Sequence, residues 1–230
     1  MKKVIIFIAI TFAFIAFQSC NSVPFKSIKA DNRSDSLSYM IGISVGHSIK
    51  MQQVEDIDAK LVAAGIVEVL ESDSATTMQE ANAFLQTYFT ELRAQQAQEN
   101  AEKGRQFLED NKNVEGVVEL ESGLQYKVLV EGTGASPTEA DRVKCHYRGK
   151  LLNGEEFDSS YERGQPAEFG LSGVIRGWTE GLQYMKEGGK YELYIPGELA
   201  YGPRGGGAKI GPNETLIFEI ELLEVIKSEE

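Results

Sequence analysis

The sequence is poor in the residue types that most metal and nucleophilic sites need. Its 230 residues include 2 Cys, 2 His and 1 Trp. His47 and His146 are far apart in the chain, and neither is surrounded by a spaced set of Cys or carboxylate residues, so a metal site and a catalytic triad both lack their parts. Cys145 lies on the apolar face of a predicted strand and is expected in the core. We therefore expect no metal, no cofactor and no covalent nucleophile.

Basic residues are also scarce. Lys and Arg total 23 against 35 Asp and Glu, which gives a formal net charge of -12. The excess of acid is dispersed, with 9 basic against 15 acidic residues in 20–116 and 12 against 20 in 117–230. Nucleic acid is therefore not an expected partner. A dispersed acidic surface is more typical of a protein that is simply kept soluble.

Long hydrophobic runs are absent except at the N-terminus. Residues 4–17 are apolar, follow two lysines and are too few to span a bilayer, which is typical of a secretory signal. We expect a signal peptide over residues 1–19. The run ends in Phe17-Gln18-Ser19-Cys20, which resembles a bacterial lipobox, so we expect Cys20 to be lipidated and the protein to be a membrane-anchored lipoprotein facing the periplasm. The alternative is an ordinary signal, cut nearby, in which Cys20 is incidental.

Three helices are predicted after a polar, flexible tether at residues 20–34. The first two are marked by apolar residues at helical spacing. Their stripes contain Leu37, Met40, Ile41, Val45 and Ile49 in the first helix, and Leu61, Val62, Ile66, Val69 and Leu70 in the second.

The third helix is predicted to be unusually long. Thr77-Met78-Gln79-Glu80 is a capping box, and no Gly or Pro follows it until Gly104, so the helix could continue to about Lys112. A helix of ~35 residues would be ~52 Å long. Its first half has an apolar face, whereas Arg93–Gln106 is polar all round, which is typical of a bridge through solvent. The alternative is two helices broken near Gly104.

The apolar stripes of these helices exceed what one small hairpin could bury. Self-association would cover them, so we expect a homodimer in which residues 35–113 form a helical dimerisation domain with a long linker helix. From Val117 onward the apolar residues alternate with a period of two, which predicts antiparallel strands around one short helix that starts at Trp178. The expected fold class is α+β, and the Gly-rich segment 197–213 is expected to be a mobile flap.

Five blocks follow one another in the C-terminal half: Cys145–Gly149, Gly154–Ser160, Val174–Gly181, Ala200–Gly202 and Thr215–Phe218. In this order they closely resemble the FKBP-type peptidyl-prolyl cis-trans isomerase domain. The resemblance covers residues 122–226 and indicates an isomerase domain at 117–227. Residues 35–113 resemble the helical dimerisation segment of the Mip and FkpA group of secreted FKBPs.

The resemblance implies a set of site residues around a proline pocket. Trp178 would be its floor, Asp158 and Tyr201 would make polar contacts at its rim, and the backbone N–H of Ile175 would hold a substrate carbonyl. The chain departs from the common pattern at Ala167 and Gly211, which bears on peptide selectivity and inhibitor affinity. The remaining expected members of the pocket are Tyr147, Phe157 and Phe218, with Phe169, Val174 and Ile210 as further substrate contacts.

The implied function is isomerisation of X-Pro bonds in exported proteins during folding. The expected partners are proline-containing peptides and unfolded polypeptides, with the membrane reached through the lipid anchor. An alternative function is a dimeric chaperone that binds unfolded chains and has secondary or no isomerase activity.

Overall fold

The computed structural model describes residues 32–51, 57–71 and 76–228. The expected signal peptide, most of the expected tether and Cys20 lie outside the described residues. The chain divides into two compact units, with the boundary between Ala75 and Thr76. The fold is α+β, as predicted.

The first unit contains helices α1 (Arg33–Met51) and α2 (Ala59–Glu71). Each begins at a side-chain cap, because Asn32 Oδ1 accepts the N–H of Ser34 at 2.9 Å and Asp58 Oδ1 accepts that of Lys60 at 2.7 Å. Both helices therefore form where the apolar period predicts them. Neither contains a buried residue, so their apolar stripes are open to solvent in the single chain.

The second unit begins with α3 (Met78–Asn111), a single helix of 34 residues. Its capping box is formed: Glu80 Oε2 accepts the N–H of Thr77 at 2.8 Å, and Thr77 Oγ1 accepts that of Glu80 at 3.2 Å. The helix continues through Gly104, so the prediction of one long helix is confirmed and the alternative of two helices is wrong.

The last turns of α3 dock on the sheet of the same unit, which corrects the expectation that Arg93–Gln106 runs through solvent. A Cβ on Gly104 would lie 2.1 Å from Thr215 Oγ1, so only glycine allows this approach. Asn100 Nδ2 donates to Pro212 O at 3.0 Å. Because these contacts use an amide and a bare backbone, the hydrophobic pattern gives no sign of them.

A buried amide holds the end of α3. Gln125 is fully buried, and its Nε2 donates to Leu108 O at 2.8 Å and to Glu119 Oε2 at 2.7 Å. Its Oε1 accepts from Asn111 Nδ2 at 2.9 Å. Buried polar groups are costly unless they are paired, so this network fixes α3 to the sheet.

Seven antiparallel strands form the sheet, in the order β1-β2-β6-β7-β3-β4, with β5 also paired to β3. The central pair is β3 with β7, which pair from Arg142 opposite Ile226 to Leu151 opposite Leu216, with a register shift between Lys144 and Cys145. The strands are β1 (Val117–Glu119), β2 (Gln125–Val130), β3 (Arg142–Leu151), β4 (Glu156–Ser159), β5 (Ala167–Gly170), β6 (Lys190–Ile195) and β7 (Leu216–Ile226).

Helix α4 (Arg176–Gln183) packs on one face of this sheet through two glycines. A Cβ on Gly177 would lie 2.3 Å from Ile195 Cγ2, and one on Gly181 would lie 2.7 Å from Leu193 Cδ1. The helix therefore lies directly against β6, and the alternating apolar side chains of the strands form the core beneath it. This contact places the first turn of α4, with Trp178, at the end of the core.

Candidate active site

A cavity of about 280 Å³ opens beside the first turn of α4. Nine of the ten residues predicted to bind or act on substrate line it, together with Gly173. The predicted members that meet there are Tyr147, Phe157, Asp158, Phe169, Val174, Ile175, Trp178, Tyr201 and Phe218.

Ile210, the tenth predicted residue, is placed differently. It is buried in the hydrophobic core, and among the described residues it is not one of those that line the cavity. Its backbone pairs with Gly206, whose N–H donates to Ile210 O at 2.9 Å. Its side chain therefore supports the loop that reaches the cavity.

The cavity walls come from neighbouring strands whose registers bring their rings together. Gly149 on β3 lies opposite Asp158 of β4 and Phe218 of β7. A Cβ at Gly149 would lie 2.5 Å from Phe157 Cζ and 2.7 Å from Phe218 Cε1. This glycine leaves the space that both rings occupy, and the two rings meet edge to face at a centroid distance of 5.5 Å.

Trp178 forms the floor. Its side chain is 4% exposed and makes edge-to-face contacts with Tyr147, Phe169 and Phe218, at centroid distances of 5.1, 5.4 and 5.2 Å. Within residues 76–228 its indole N–H has no hydrogen-bond partner. The bottom of the cavity is thus an aromatic surface.

One edge of the cavity is polar and charged. Tyr147 Oη donates to Asp158 Oδ2 at 2.5 Å, and Arg163 Nη2 donates to Tyr147 Oη at 2.6 Å. Arg163 also pairs directly with Asp158. Arg163 lies in the turn after β4 and is not among the site residues predicted from the sequence. The available signal was a basic residue five positions after Asp158.

This network sets the charge of the edge. Burial raises the pKa of Asp158, but hydrogen bonds from Tyr147 and Arg163 and the charge of Arg163 outweigh it, so the net pKa is lowered. Burial, followed by the hydrogen bond to Asp158, raises the pKa of Tyr147 to about 12. At neutral pH the edge therefore presents a carboxylate, a neutral phenol and a guanidinium.

Nucleophilic groups are few in the cavity: they are the carboxylate of Asp158, which Tyr147 and Arg163 bind, and the phenols of Tyr147 and Tyr201. The lining contains no Ser, Thr, Cys, His or Lys among the described residues. Cys145 is fully buried in the core nearby, and burial raises the pKa of its thiol to about 12. The cavity can enclose a small apolar ring and hold polar atoms at its edge.

A wider groove of about 720 Å³ lies between α3 and the sheet. Six of its sixteen lining residues are charged, among them Glu102, Arg105 and Glu119. The cavity above Trp178 is the candidate active site, because the aromatic rings and the polar network of Tyr147 and Asp158 meet there.

An antiparallel sheet packed on a short helix, with an aromatic cavity at the first turn of that helix, defines an α+β domain with an apolar binding cavity. Comparison with known proteins gives the family. Residues 134–223 match the model of the FKBP-type peptidyl-prolyl cis-trans isomerase, and residues 34–128 match that of the domain amino-terminal to it. The chain belongs to the FKBP-type peptidyl-prolyl cis-trans isomerases and is an enzyme of that type.

The relatives match the chain over most of its length. The FKBP-type 22 kDa peptidyl-prolyl cis-trans isomerase of Escherichia coli is 45% identical, over 82% of this chain and 94% of the relative. The outer membrane protein MIP of Legionella longbeachae is 43% identical, over 84% of this chain and 86% of the relative. The crystal structure of FkpA from Escherichia coli is 36% identical and superimposes with a TM-score of 0.68, over 87% of this chain and 100% of that one.

Proposed function

We propose that X-Pro bonds are isomerised in the cavity above Trp178, with the prolyl ring against the indole. The observation that carries this proposal is the meeting of nine separately predicted residues around one cavity of about 280 Å³. Tyr147, Phe157 and Phe218 would enclose the ring, with Phe169 and Val174 completing the wall. Asp158 and Tyr201 would contact polar atoms at the rim, and the N–H of Ile175 would hold a substrate carbonyl.

The proposed chemistry is non-covalent. Rotation about an X-Pro bond meets a barrier of about 20 kcal/mol, because the planar amide must lose its resonance. The planar form is the more charge-separated one, so an apolar cup that removes water from it disfavours the ground state relative to the twisted state. A donor that fixes one carbonyl while the other side of the bond turns adds to this preference.

Trp178 offers a direct test, because it is the single Trp of the sequence. Titration with a short proline peptide should shift the tryptophan emission and saturate. The same peptide with Ala in place of Pro should produce a much smaller shift at equal concentration. An active protein whose emission does not respond to the proline peptide would remove Trp178 from the binding site.

We further propose that the helical segment forms a homodimer. Large apolar side chains of α1 and α2 are mostly exposed, among them Leu37 at 63% and Leu70 at 78%. Gly42, Gly46 and Gly65 have open space where a side chain would be, which suits the close approach of another helix. These surfaces exceed the scattered apolar exposure of an ordinary monomer.

Sedimentation of the mature protein at micromolar concentration tests the dimer. Leu37→Asp combined with Met40→Asp should give a monomer, because two charges would have to be buried in the interface. Ser38→Asp, which adds a charge to an exposed polar position of the same helix, should remain dimeric. A wild-type monomer would contradict the proposal.

A dimer could also bind unfolded chains, which favours a second role as a chaperone. Two cavities on one frame raise the effective concentration of the second contact. A proline-limited refolding assay, run beside an aggregation assay on a client whose folding is independent of proline, separates the two roles. Acceleration in the first assay with no protection in the second would leave the isomerase role alone.

Export and lipid anchoring at Cys20 are proposed from the sequence, and one relative bears the name of an outer membrane protein. Over the described residues, no helix is both long and apolar enough to cross a membrane. Cys20→Ser should abolish acyl labelling and release the protein from the membrane. Persistent labelling of this variant would contradict the lipid anchor.

A further inference from the structure

The loop that joins β6 to β7, residues 196–215, is held by α3 through two amide side chains. Asn100 Nδ2 on the helix donates to Pro212 O on the loop at 3.0 Å. In the opposite direction, Asn213 Nδ2 on the loop donates to Ala97 O on the helix at 3.3 Å. The two bonds run in opposite directions between the same two segments, so together they form a clamp, which we call the asparagine clamp.

The clamp is connected to the cavity by the backbone of the loop. Asn213 N donates to Gly202 O at 2.8 Å, and Gly202 directly follows Tyr201, which lines the cavity. On the other side of Tyr201, Gly206 lies against the ring so closely that a Cβ would be 2.9 Å from its Cγ. Gly206 is paired to Ile210, two residues before Pro212. Both supports of Tyr201 therefore lead back to the segment that α3 holds.

The backbone conformation of Asn213 is a second observation in favour of the clamp. Among the described residues it is the one non-glycine residue with a positive φ, at 53°. Glycine is the usual residue for this backbone region, although Asn tolerates it. The hydrogen bond to Ala97 O gives a reason for a side chain here. Nearby, a Cβ on Gly211 would lie 3.1 Å from Asn100 Nδ2, so this glycine leaves room for the clamp.

We propose that the asparagine clamp fixes the position of Tyr201, so that Asn100 and Asn213 are positioning residues of the isomerase site and α3 is coupled to substrate binding. Tyr201 is 42% exposed, so the loop beneath it, more than burial, determines where it lies. A rim that is held in place before the substrate arrives loses less conformational entropy on binding. The inference rests on the proposed role of the cavity.

Two substitutions loosen the clamp without disturbing the cavity lining. Asn213→Gly keeps the positive φ available and removes the donor to Ala97 O, so a loss of function cannot be attributed to backbone strain. Asn100→Asp has nearly the same shape and removes the donor to Pro212 O. Gln106→Ala is the matched control, because the amide of Gln106 is exposed and donates to Asp110 of its own helix.

Steady-state isomerisation of a proline tetrapeptide by the full mature chain gives the readout. Loss of one hydrogen bond that orders the rim should raise KM about three- to tenfold, with kcat changed less than about twofold. Gln106→Ala should match the wild type. Equal KM in both clamp variants and the wild type would overturn the proposal. A fall in kcat that follows a fall in melting temperature, with KM unchanged, would also overturn it, because the clamp would then be merely structural.

A double-mutant cycle tests whether the clamp acts through Tyr201. If it does, Asn213→Gly should have little further effect on KM in a Tyr201→Ala background. Fully additive effects would contradict this route. A wild-type chain with no isomerase activity would instead defeat the proposed function of the cavity, so the two failures are distinguishable.

Discussion

The two compact units differ in where their apolar side chains lie. In α1 and α2 no residue is buried, and side chains such as Leu61 and Leu70 are 72% and 78% exposed. In the unit from Thr76 onward, Leu124, Leu182 and Leu222 are fully buried. The second unit thus has a core of its own, whereas the helices of the first have apolar faces that a single chain leaves uncovered. The candidate active site belongs to the unit that has its own core.

Helix α3 contains a similar contrast along its own length. Near its start Phe84 is 69% exposed, whereas Gly104 and Asn111 near its end are buried against the sheet. The early turns have exposed apolar side chains, and the late turns contact the sheet and the loop that carries Tyr201 through amides and a glycine.

Removing the indole at the floor of the cavity should produce the largest effect on stability and activity. It would show that the same side chain belongs to the hydrophobic core and to the candidate site. Trp178→Ala should destabilise the second unit by roughly 3 to 5 kcal/mol, because the indole is buried among three aromatic rings, and should abolish isomerase activity. Urea unfolding followed by circular dichroism measures the change.

Tyr184→Ala is the control, since this aromatic residue is 49% exposed and stacks on Tyr126 away from the cavity. It should cost far less stability and leave activity intact. An unchanged urea midpoint for Trp178→Ala would mean that Trp178 is not buried as described.

The stability of two shortened chains should show where the second compact unit begins. A chain that begins at Thr76 keeps α3, whereas one that begins at Val114 loses Asn111 and Leu108, two partners of the fully buried Gln125. We expect the shorter chain to be less stable by about 1 to 3 kcal/mol, the cost of unpaired buried polar groups. Urea unfolding of the two chains gives the comparison.

Both shortened chains should be monomeric and should still isomerise short peptides, because every residue that lines the cavity lies beyond Val114. Equal stability of the two chains would mean that α3 does not stabilise the sheet. Loss of the fold in the chain from Thr76 would show that the second unit is not complete by itself.

A change of pH should have the smallest effect on stability and activity. The lowered pKa of Asp158 means that its contribution to stability is present above its unfolded pKa and is lost as the pH falls through the folded value. For Tyr147 the pKa is raised to about 12, so its contribution is present below its unfolded pKa and is lost as the pH rises through about 12. Neither group of the cavity titrates between these windows.

Activity on a neutral proline peptide should therefore be flat from about pH 6 to about pH 9. A bell-shaped profile centred in this range would mean that a titrating group takes part in the reaction. Such a result would contradict a mechanism without acid-base catalysis.

The sequence predicted the fold class, the long helix and most of the cavity because those features depend on patterns that are local or ordered along the chain. Alternation located β3, the capping box located the start of α3, and the lone Trp located the corner before α4. These signals come from burial and from backbone capping, which constrain residue types strongly.

The features that the sequence did not reveal are polar and non-local. Gln125 is polar but fully buried, because α3 supplies two of its hydrogen-bond partners from the preceding segment. Arg163 reaches Tyr147 only through the turn after β4. The docking of α3 depends on Asn100 and Gly104, which have no hydrophobic period. The partner of a buried polar side chain is distant in sequence, so no local pattern predicts it.

Isomerisation of X-Pro bonds in the aromatic cavity is tested most directly by kcat/KM for a proline tetrapeptide in two cavity variants. Phe157→Ala removes a wall, and Asp158→Ala leaves Tyr147 and Arg163 without their shared carboxylate. Each should lower kcat/KM about tenfold or more while the urea midpoint stays close to that of the wild type. Wild-type kcat/KM in both folded variants would contradict the assignment of the reaction to this cavity.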